Sequence, residues 1–398
     1  MTLLGNSLEL EIEKIAHGGV CVARHEGRVV FVSGAIPGEK VIAEVFEDSG
    51  KSFVRAKVQE VITPSKYRVE HFWRAARQGA GGAEFGHIQL SHQRELKRQV
   101  LTEALSRMAK IELDIPVEAV PGDDELDGLQ YRTRVQLNVD SEGVAGPVRE
   151  RTNEVIFTKK LPLAVPEIEE LEVHLKSWTG AKKIFLAASS TGQTQFLVDK
   201  TLHGAQTLIE RVNDRTFRLS PGAFWQVHKS AANLLSTEVI AQLGAIDFDK
   251  DKSNLDLYAG AGLFSATIAQ KFPGAKFVAV ESHRGAVDDG KKSAEDLPNL
   301  KFIRSDVLEF TRREVKRSAS YDTVVLDPPR SGAAGKVIEQ LIGLNPRNII
   351  YVACDPVALA RDLALLLAAG FELKAMRAFD IFPHTHHFEC VATLTRVT

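Results

Sequence analysis

The chain has 398 residues, too many for one ordinary core, so length alone points to two or three domains. Apolar residues make up 44% and charged residues 26%, a globular mix that excludes a largely disordered chain. Its 50 Lys plus Arg stand against 52 Asp plus Glu, which excludes a globally basic nucleic-acid binder; any polyanion must meet a local cluster of cations.

The first residues, MTLLGNSLELEIEK, are acidic early and lack the apolar centre of a secretory signal. No apolar run reaches the roughly 18 residues of a membrane span. A cytoplasmic protein with no membrane partner is expected. Cys21, Cys354 and Cys390 are few, far apart and odd in number, which argues against a disulfide framework and against a cysteine metal site.

Over residues 1–65, LELEIEKIA, VCVAR, RVVFV, KVIAEVF and SFVRAKVQEV are separated by turns such as His17-Gly18-Gly19, His25-Glu26-Gly27 and Asp48-Ser49-Gly50. This rhythm predicts a small antiparallel barrel of the oligonucleotide-binding kind. Lys14, Arg28, Lys51, Arg55 and Lys57 offer it a basic face, or only a solvated one. Residues 92–110 have helical periodicity. Residues 131–158 read as a hairpin that turns at Gly143 to Gly146, and Ile184 to Val198 and Thr216 to Leu219 read as further strands. Together these make a β-rich central domain over 66–235. Over 236–398 strands alternate with helices: Leu255–Tyr258, Phe277–Val280, Lys301–Ile303, Thr323–Leu326 and Asn348–Ala353. That pattern predicts an α/β domain with a parallel, doubly wound sheet.

Such sheets bind ligands at the carboxyl ends of their strands. Here the strands end in Tyr258-Ala259-Gly260-Ala261-Gly262, Glu281, Asp306, Asp327-Pro328-Pro329-Arg330 and Cys354-Asp355-Pro356. Gly260 and Gly262 permit a tight turn and close approach of a ligand, and Glu281 follows at about the 20 residues where a carboxylate can bind ribose hydroxyls. This fits a dinucleotide nearly as well, although Ser265 stands where a third glycine would. The two prolines after Asp327 fix a rigid loop suited to a planar base, or simply end a strand.

Cys354 lies between a strand and a helix that starts at Asp355-Pro356 and ends at Gly370. The partial positive charge of a helix N-terminus predicts a lowered thiol pKa and a nucleophile, against the blander reading of a small buried hydrophobe. If the last strand returns antiparallel, Glu389 starts it beside Cys354, and Cys390 points away into packing. His384, His386 and His387 invite a zinc reading, but no matching carboxylate or cysteine set accompanies them.

At these motifs the sequence resembles the RNA uridine-5-methyltransferase family, which includes bacterial ribosomal and transfer RNA enzymes. The resemblance covers nearly the whole chain: a TRAM-like N-terminal barrel, Phe224-Trp225-Gln226-Val227, LDLYAGAG, VAVE, LDPPRSG, YVACDPVALARDL and FPHTHHFE. It implies a Rossmann-like methyltransferase domain and S-adenosylmethionine as methyl donor. Donor contacts are expected at Gln226, Tyr258, Gly260, Gly262, Glu281, Asp306 and Asp327. A nucleophile is expected at Cys354 and a general base at Glu389. Substrate contacts are expected at Asp327, Arg330, Arg132 and Arg134, and the helix at 92–110 is expected to pack on the catalytic domain. Many relatives bind an iron–sulfur cluster through four cysteines; Gly79-Ala80-Gly81-Gly82-Ala83, preceded by Ala75 and Ala76, holds none, so no cluster and no metal are expected. Asp355, Ala259 and Ser293 also depart from the residues common in relatives. A monomer acting on ribosomal RNA is expected. The alternatives are a transfer RNA enzyme acting at uridine 54, a nucleobase N-methyltransferase and a non-catalytic RNA-binding protein, the last two of which need neither Cys354 nor Glu389. A nicotinamide-dependent oxidoreductase is disfavoured by the glycine pattern.

Overall fold

Leu8 and Leu10 point inward while Ser7, Glu9 and Glu11 stay in water, and this alternation makes the first strand of the N-terminal unit. The structure, a computed structural model, describes residues 2–50, 52–249 and 251–397. Strands β1 (Ser7–Glu11), β2 (Lys14–Ala16), β3 (Val20–His25), β4 (Arg28–Ser33), β5 (Lys40–Glu47) and β6 (Phe53–Thr63) form one six-stranded sheet in the order β1-β5-β6-β4-β3-β2. The sheet is not wholly antiparallel as expected, because β4 and β6 run parallel. The run LELEIEKIA breaks into β1 and β2, which pair with different neighbours.

The expected basic face is largely neutralised. Lys14 pairs with Glu103 at 2.7 Å and Arg28 with Asp48 at 2.7 Å. Arg55 lies over the Phe31 and Phe53 rings, Lys57 is exposed, and Lys51 lies outside the described residues.

A short helix α1 (Arg74–Arg77) precedes α2 (Leu90–Ala104), which continues as a π-helical turn to Ala109 and stops at left-handed Lys110. This helix serves two cores. Leu96 joins the barrel core, whereas Leu101, Ala104, Leu105 and Ala109 join the core under the C-terminal sheet. Between them Lys97 is buried against Asp380 at 2.5 Å. Next comes β7 (Val117–Ala119), the edge strand of the C-terminal sheet, parallel to β20 (Phe371–Asp380). A segment inside the sequence-expected 66–235 unit thus belongs to the C-terminal sheet.

The central sheet orders β12 (Thr201–Gly204), β11 (Thr194–Val198), β10 (Lys183–Ala188), β8 (Arg134–Val139) and β9 (Ala145–Gly146). The hairpin expected over 131–158 is truncated. Its return arm β9 is two residues long, since Pro147 cannot donate to a ladder, and β10 takes the long pairing with β8 instead. Helix α3 (Pro166–Glu169) and the hairpin β13 (Leu208–Val212) and β14 (Arg215–Leu219) complete this part.

The C-terminal part follows helix α4 (Ala231–Gly244): β15 (Ser253–Leu257), α5 (Leu263–Lys271), β16 (Lys276–Glu281), α6 (Arg284–Ser293), β17 (Leu300–Arg304), α7 (Val307–Lys316), β18 (Thr323–Leu326), α8 (Gly335–Leu344), β19 (Asn348–Ala353), α9 (Pro356–Ala368), β20 and β21 (Glu389–Arg396). Every residue of β18 and β19 is buried, as strands covered on both faces must be. The sheet order is β17-β16-β15-β18-β19-β21-β20-β7, with β21 antiparallel. The strand order reverses between β15 and β18, where such sheets open a crevice. No helix among the described residues is long and apolar enough to cross a membrane.

A Cβ added at Gly262 would lie 2.6 Å from the Phe302 ring, and Gly262 has φ +83°. The glycine that sequence assigned to the ligand is therefore also a packing necessity. Gly262→Ala is expected to destabilise the fold by about 1–3 kcal/mol through overpacking and left-handed strain, read as a lowered thermal midpoint. An unchanged midpoint would show that Phe302 gives way.

Candidate active site

Helix α9 begins sharply because Asp355 caps it: Oδ1 accepts the amides of Val357 and Ala358 at 3.0 and 2.8 Å, and Pro356 fills the first turn. This puts Cys354 at the exit of β19. Ala353 pairs with Cys390 across the sheet, so Glu389 sits one step further along β21, opposite Cys354. Cys354, Glu389, Asp327 and Arg330 meet in the wall of a cavity of about 890 Å³ over the β15/β18 crevice. Tyr258, Gly260, Glu281 and Gln226 line the same cavity, and Arg132 reaches it from the central domain.

The electrostatics correct the expectation of an activated thiol. Burial, with Glu389 and Asp327 nearby, pushes the Cys354 thiol up to about 12, and only Arg330 among its main neighbours opposes them. The amides that would have favoured a thiolate are spent on Asp355, itself an anion. Burial, then Asp327, also raises the Glu389 carboxyl well above the carboxylate range. Asp327 is raised by burial and by Asp256, which itself reaches about 7 in the core beneath. Burial thus disfavours the charged forms of Cys354, Glu389 and Asp327 alike.

This arrangement predicts sluggish alkylation. Cys21 and Cys390 are buried, so iodoacetamide reports on Cys354. Thiolate formation follows the raised pKa, so the rate at neutral pH should be roughly 10³-fold below that of a free thiol and keep rising to pH 10 and beyond. A cationic ligand in the cavity should speed it. A plateau near pH 8 would contradict the electrostatic account.

Other expected residues sort by position. The Gln226 side chain makes no hydrogen bond among the described residues and is free for a ligand. Tyr258 holds left-handed backbone at φ +62°, uncommon for an aromatic residue. Glu281 accepts the Gly260 amide at 3.0 Å and the His283 amide at 2.7 Å, tying two strand-end turns together. Gly260 faces open space where a Cβ would stand. Two other residues expected at the donor stand off the cavity wall. Asp306 is an exposed cap of α7, accepting the Glu309 amide at 3.0 Å, and does not line the cavity. Gly262 lies off the wall, against Phe302. Arg134, expected at the substrate, is 6% exposed and paired with Glu210 at 3.0 Å.

Residues that sequence reasoning left unassigned also line the cavity. Phe224 is 75% exposed at its rim. Asp289 holds the loop beneath Phe224 by accepting the Ser220 amide at 2.8 Å. Of the three histidines, His384 is locked by Gln93 and Asp127 and His386 by Glu84, whereas His387 faces the cavity. From the barrel, His17 reaches Asp355 at 2.7 Å, and its imidazole is raised by that hydrogen bond. Ala75, Ala80 and Ala83 pack with Trp73, Tyr131, Ile156 and Leu163 in an apolar cluster.

A family model described as tRNA (Uracil-5-)-methyltransferase matches residues 183–397, and a TRAM domain model matches residues 2–59. An uncharacterized RNA methyltransferase of Streptomyces avermitilis is 36% identical, with 98% of each chain covered. Another, from Bdellovibrio bacteriovorus, is 31% identical and covers 98% of this chain and 96% of its own. Among solved structures, the fold is similar to that of the Pyrococcus abyssi tRNA (uracil-54, C5)-methyltransferase in complex with S-adenosyl-L-homocysteine. The TM-score is 0.73 at 20% identity, over 97% of this chain and 99% of that one.

Proposed function

This chain belongs to the tRNA (uracil-5-)-methyltransferase family and is an RNA methyltransferase, and from that premise we propose that it methylates carbon 5 of a uridine in ribosomal RNA through a covalent bond to Cys354. The observation that carries the reading is Cys354 and Glu389 facing each other across paired strands in the wall of one cavity. A nucleobase N-methyltransferase needs neither group.

The residues present fit S-adenosylmethionine: Gly260 leaves open space, Glu281 and Asp327 offer carboxylates, and Gln226 and Tyr258 offer free polar side chains on one wall. When bound, S-adenosylmethionine supplies an electrophilic methyl group. The chain's residues do the rest. Uridine carbon 5 is a poor nucleophile. Cys354 gives up its thiol proton to water as Sγ adds to carbon 6, and the displaced 5,6 electron pair makes carbon 5 the nucleophilic end of an enolate. Once carbon 5 carries the methyl group, Glu389 takes its remaining proton, the bond between Sγ and carbon 6 breaks, and the 5,6 double bond returns. Once ionised, a raised carboxyl is a stronger base than an ordinary carboxylate. Arg330, exposed at the rim, and Arg132 meet the RNA backbone. The target base must leave its stack, at a cost of a few kcal/mol.

The TRAM-like barrel supports ribosomal RNA, and the Pyrococcus relative, which acts on uracil-54 of tRNA, supports transfer RNA as the second reading. Mapping 5-methyluridine in both RNAs from a strain lacking the gene decides. A ribosomal position should revert to uridine. Loss in transfer RNA reassigns the substrate, and no loss in either overturns the proposal.

A further inference from the structure

Strand β8 carries an unused polar face. Arg132 just before it, then Arg134, Gln136 and Asn138 alternate with Thr133, Val135 and Leu137 and therefore share one side. The residues on that side, with Val135 and Leu137, line a second cavity of about 310 Å³ together with Trp73, Pro147 and Leu161 to Leu163. Three polar atoms of this wall are buried without a hydrogen-bond partner: Nε of Arg132, Nε of Arg134 and Oδ1 of Asn138. Arg134 is over nine-tenths buried. Arg132 also lines the catalytic cavity, and its guanidinium has no ion pair among the described residues. Its backbone is fixed instead, donating to Leu163 O at 2.7 Å and accepting from the Val165 amide at 3.0 Å.

Buried donors and acceptors left unsatisfied are costly, so a wall that keeps two guanidinium donors and one amide acceptor unpaired between apolar faces suits a flat ligand with complementary edges. An unpaired cation shared by two cavities suits an anion that bridges them. We infer that the β8 cavity is a second base pocket, taking the nucleobase adjacent to the target uridine while Arg132 receives the phosphate between them. The inference rests on the proposed RNA methylation. The second cavity has room for one base rather than a stacked run, and Asn138 Oδ1 would accept from an exocyclic amine.

The test is a pool of stem–loop RNAs whose loops hold one fixed uridine among randomised A, C and G. The full-length protein is allowed to bind, and the bound fraction is sequenced. Wild type should favour one base beside the uridine by about fivefold, the value of one hydrogen bond. Asn138→Leu, which removes no internal hydrogen bond, should flatten that preference to within about twofold. Arg132→Gln should weaken binding of the whole pool at least about tenfold without changing the favoured base. No preference beside the uridine in wild type, or one that survives Asn138→Leu, overturns the inference. Methylation of the bound RNA is read separately. A base preference without carbon-5 methylation sinks the proposed reaction, whereas methylation with a flat preference sinks only the second pocket.

Discussion

Cys354→Ala is expected to lose methyl transfer to RNA by at least about 10⁴-fold, equivalent to about 5.5 kcal/mol of barrier. Without Sγ nothing adds to carbon 6, and carbon 5 keeps its poor nucleophilicity. Neither Glu389 nor Asp327 can substitute, since a carboxylate is a far weaker nucleophile toward carbon 6 than a thiolate, and burial raises both carboxyls. The fold should survive, because the Cys354 side chain makes no hydrogen bond among the described residues and is only partly buried. The measurement is incorporation of labelled methyl groups into RNA, beside a thermal midpoint within a few degrees of wild type. Retained methylation would remove the thiol from the reaction.

Glu389→Gln should behave oppositely on the RNA. Glutamine keeps the shape of the side chain but cannot take the carbon-5 proton. Addition and methyl arrival proceed, elimination stops, and the protein accumulates covalently bound to RNA containing ordinary uridine. Turnover should fall roughly 10²–10⁴-fold, the usual worth of a general base. The stability prediction has a definite sign. A carboxyl whose pKa is raised on folding stabilises the fold below its unfolded pKa, and that contribution is lost as pH rises through the folded value. Wild type should therefore lose stability as pH rises above the ordinary carboxylate range, and Glu389→Gln should lose less. Normal turnover with no trapped complex would take Glu389 out of the base role.

The legible parts of the sequence were those governed by local pattern. Strands β18 and β19 lie buried on both faces and read as apolar runs, and the reactive residues at the strand ends follow from where such sheets bind ligands. Asp355 and Pro356 marked the start of α9 because capping is local. What escaped depends on three-dimensional neighbours. A three-residue strand such as β7 carries too little pattern to show that it joins a sheet built from residues far along the chain. Arg132 and Arg134 look alike two residues apart, yet Glu210 claims only Arg134. The thiol expected to be lowered by a helix is raised because burial disfavours the thiolate, with Glu389 and Asp327 beside it, while Asp355 takes the helix amides. Gly260 and Gly262 share one motif, but only the first faces open space.

The central claim is a covalent bond between Cys354 and carbon 6 of a uridine. Its most direct measurement incubates the wild-type protein with S-adenosylmethionine and RNA carrying 5-fluorouridine, whose carbon-5 fluorine cannot leave as a proton. Intact-mass and peptide analysis should find a stable adduct of methylated nucleotide on the Cys354 peptide. Methylated RNA without any protein adduct, or an adduct on another residue, would contradict the account.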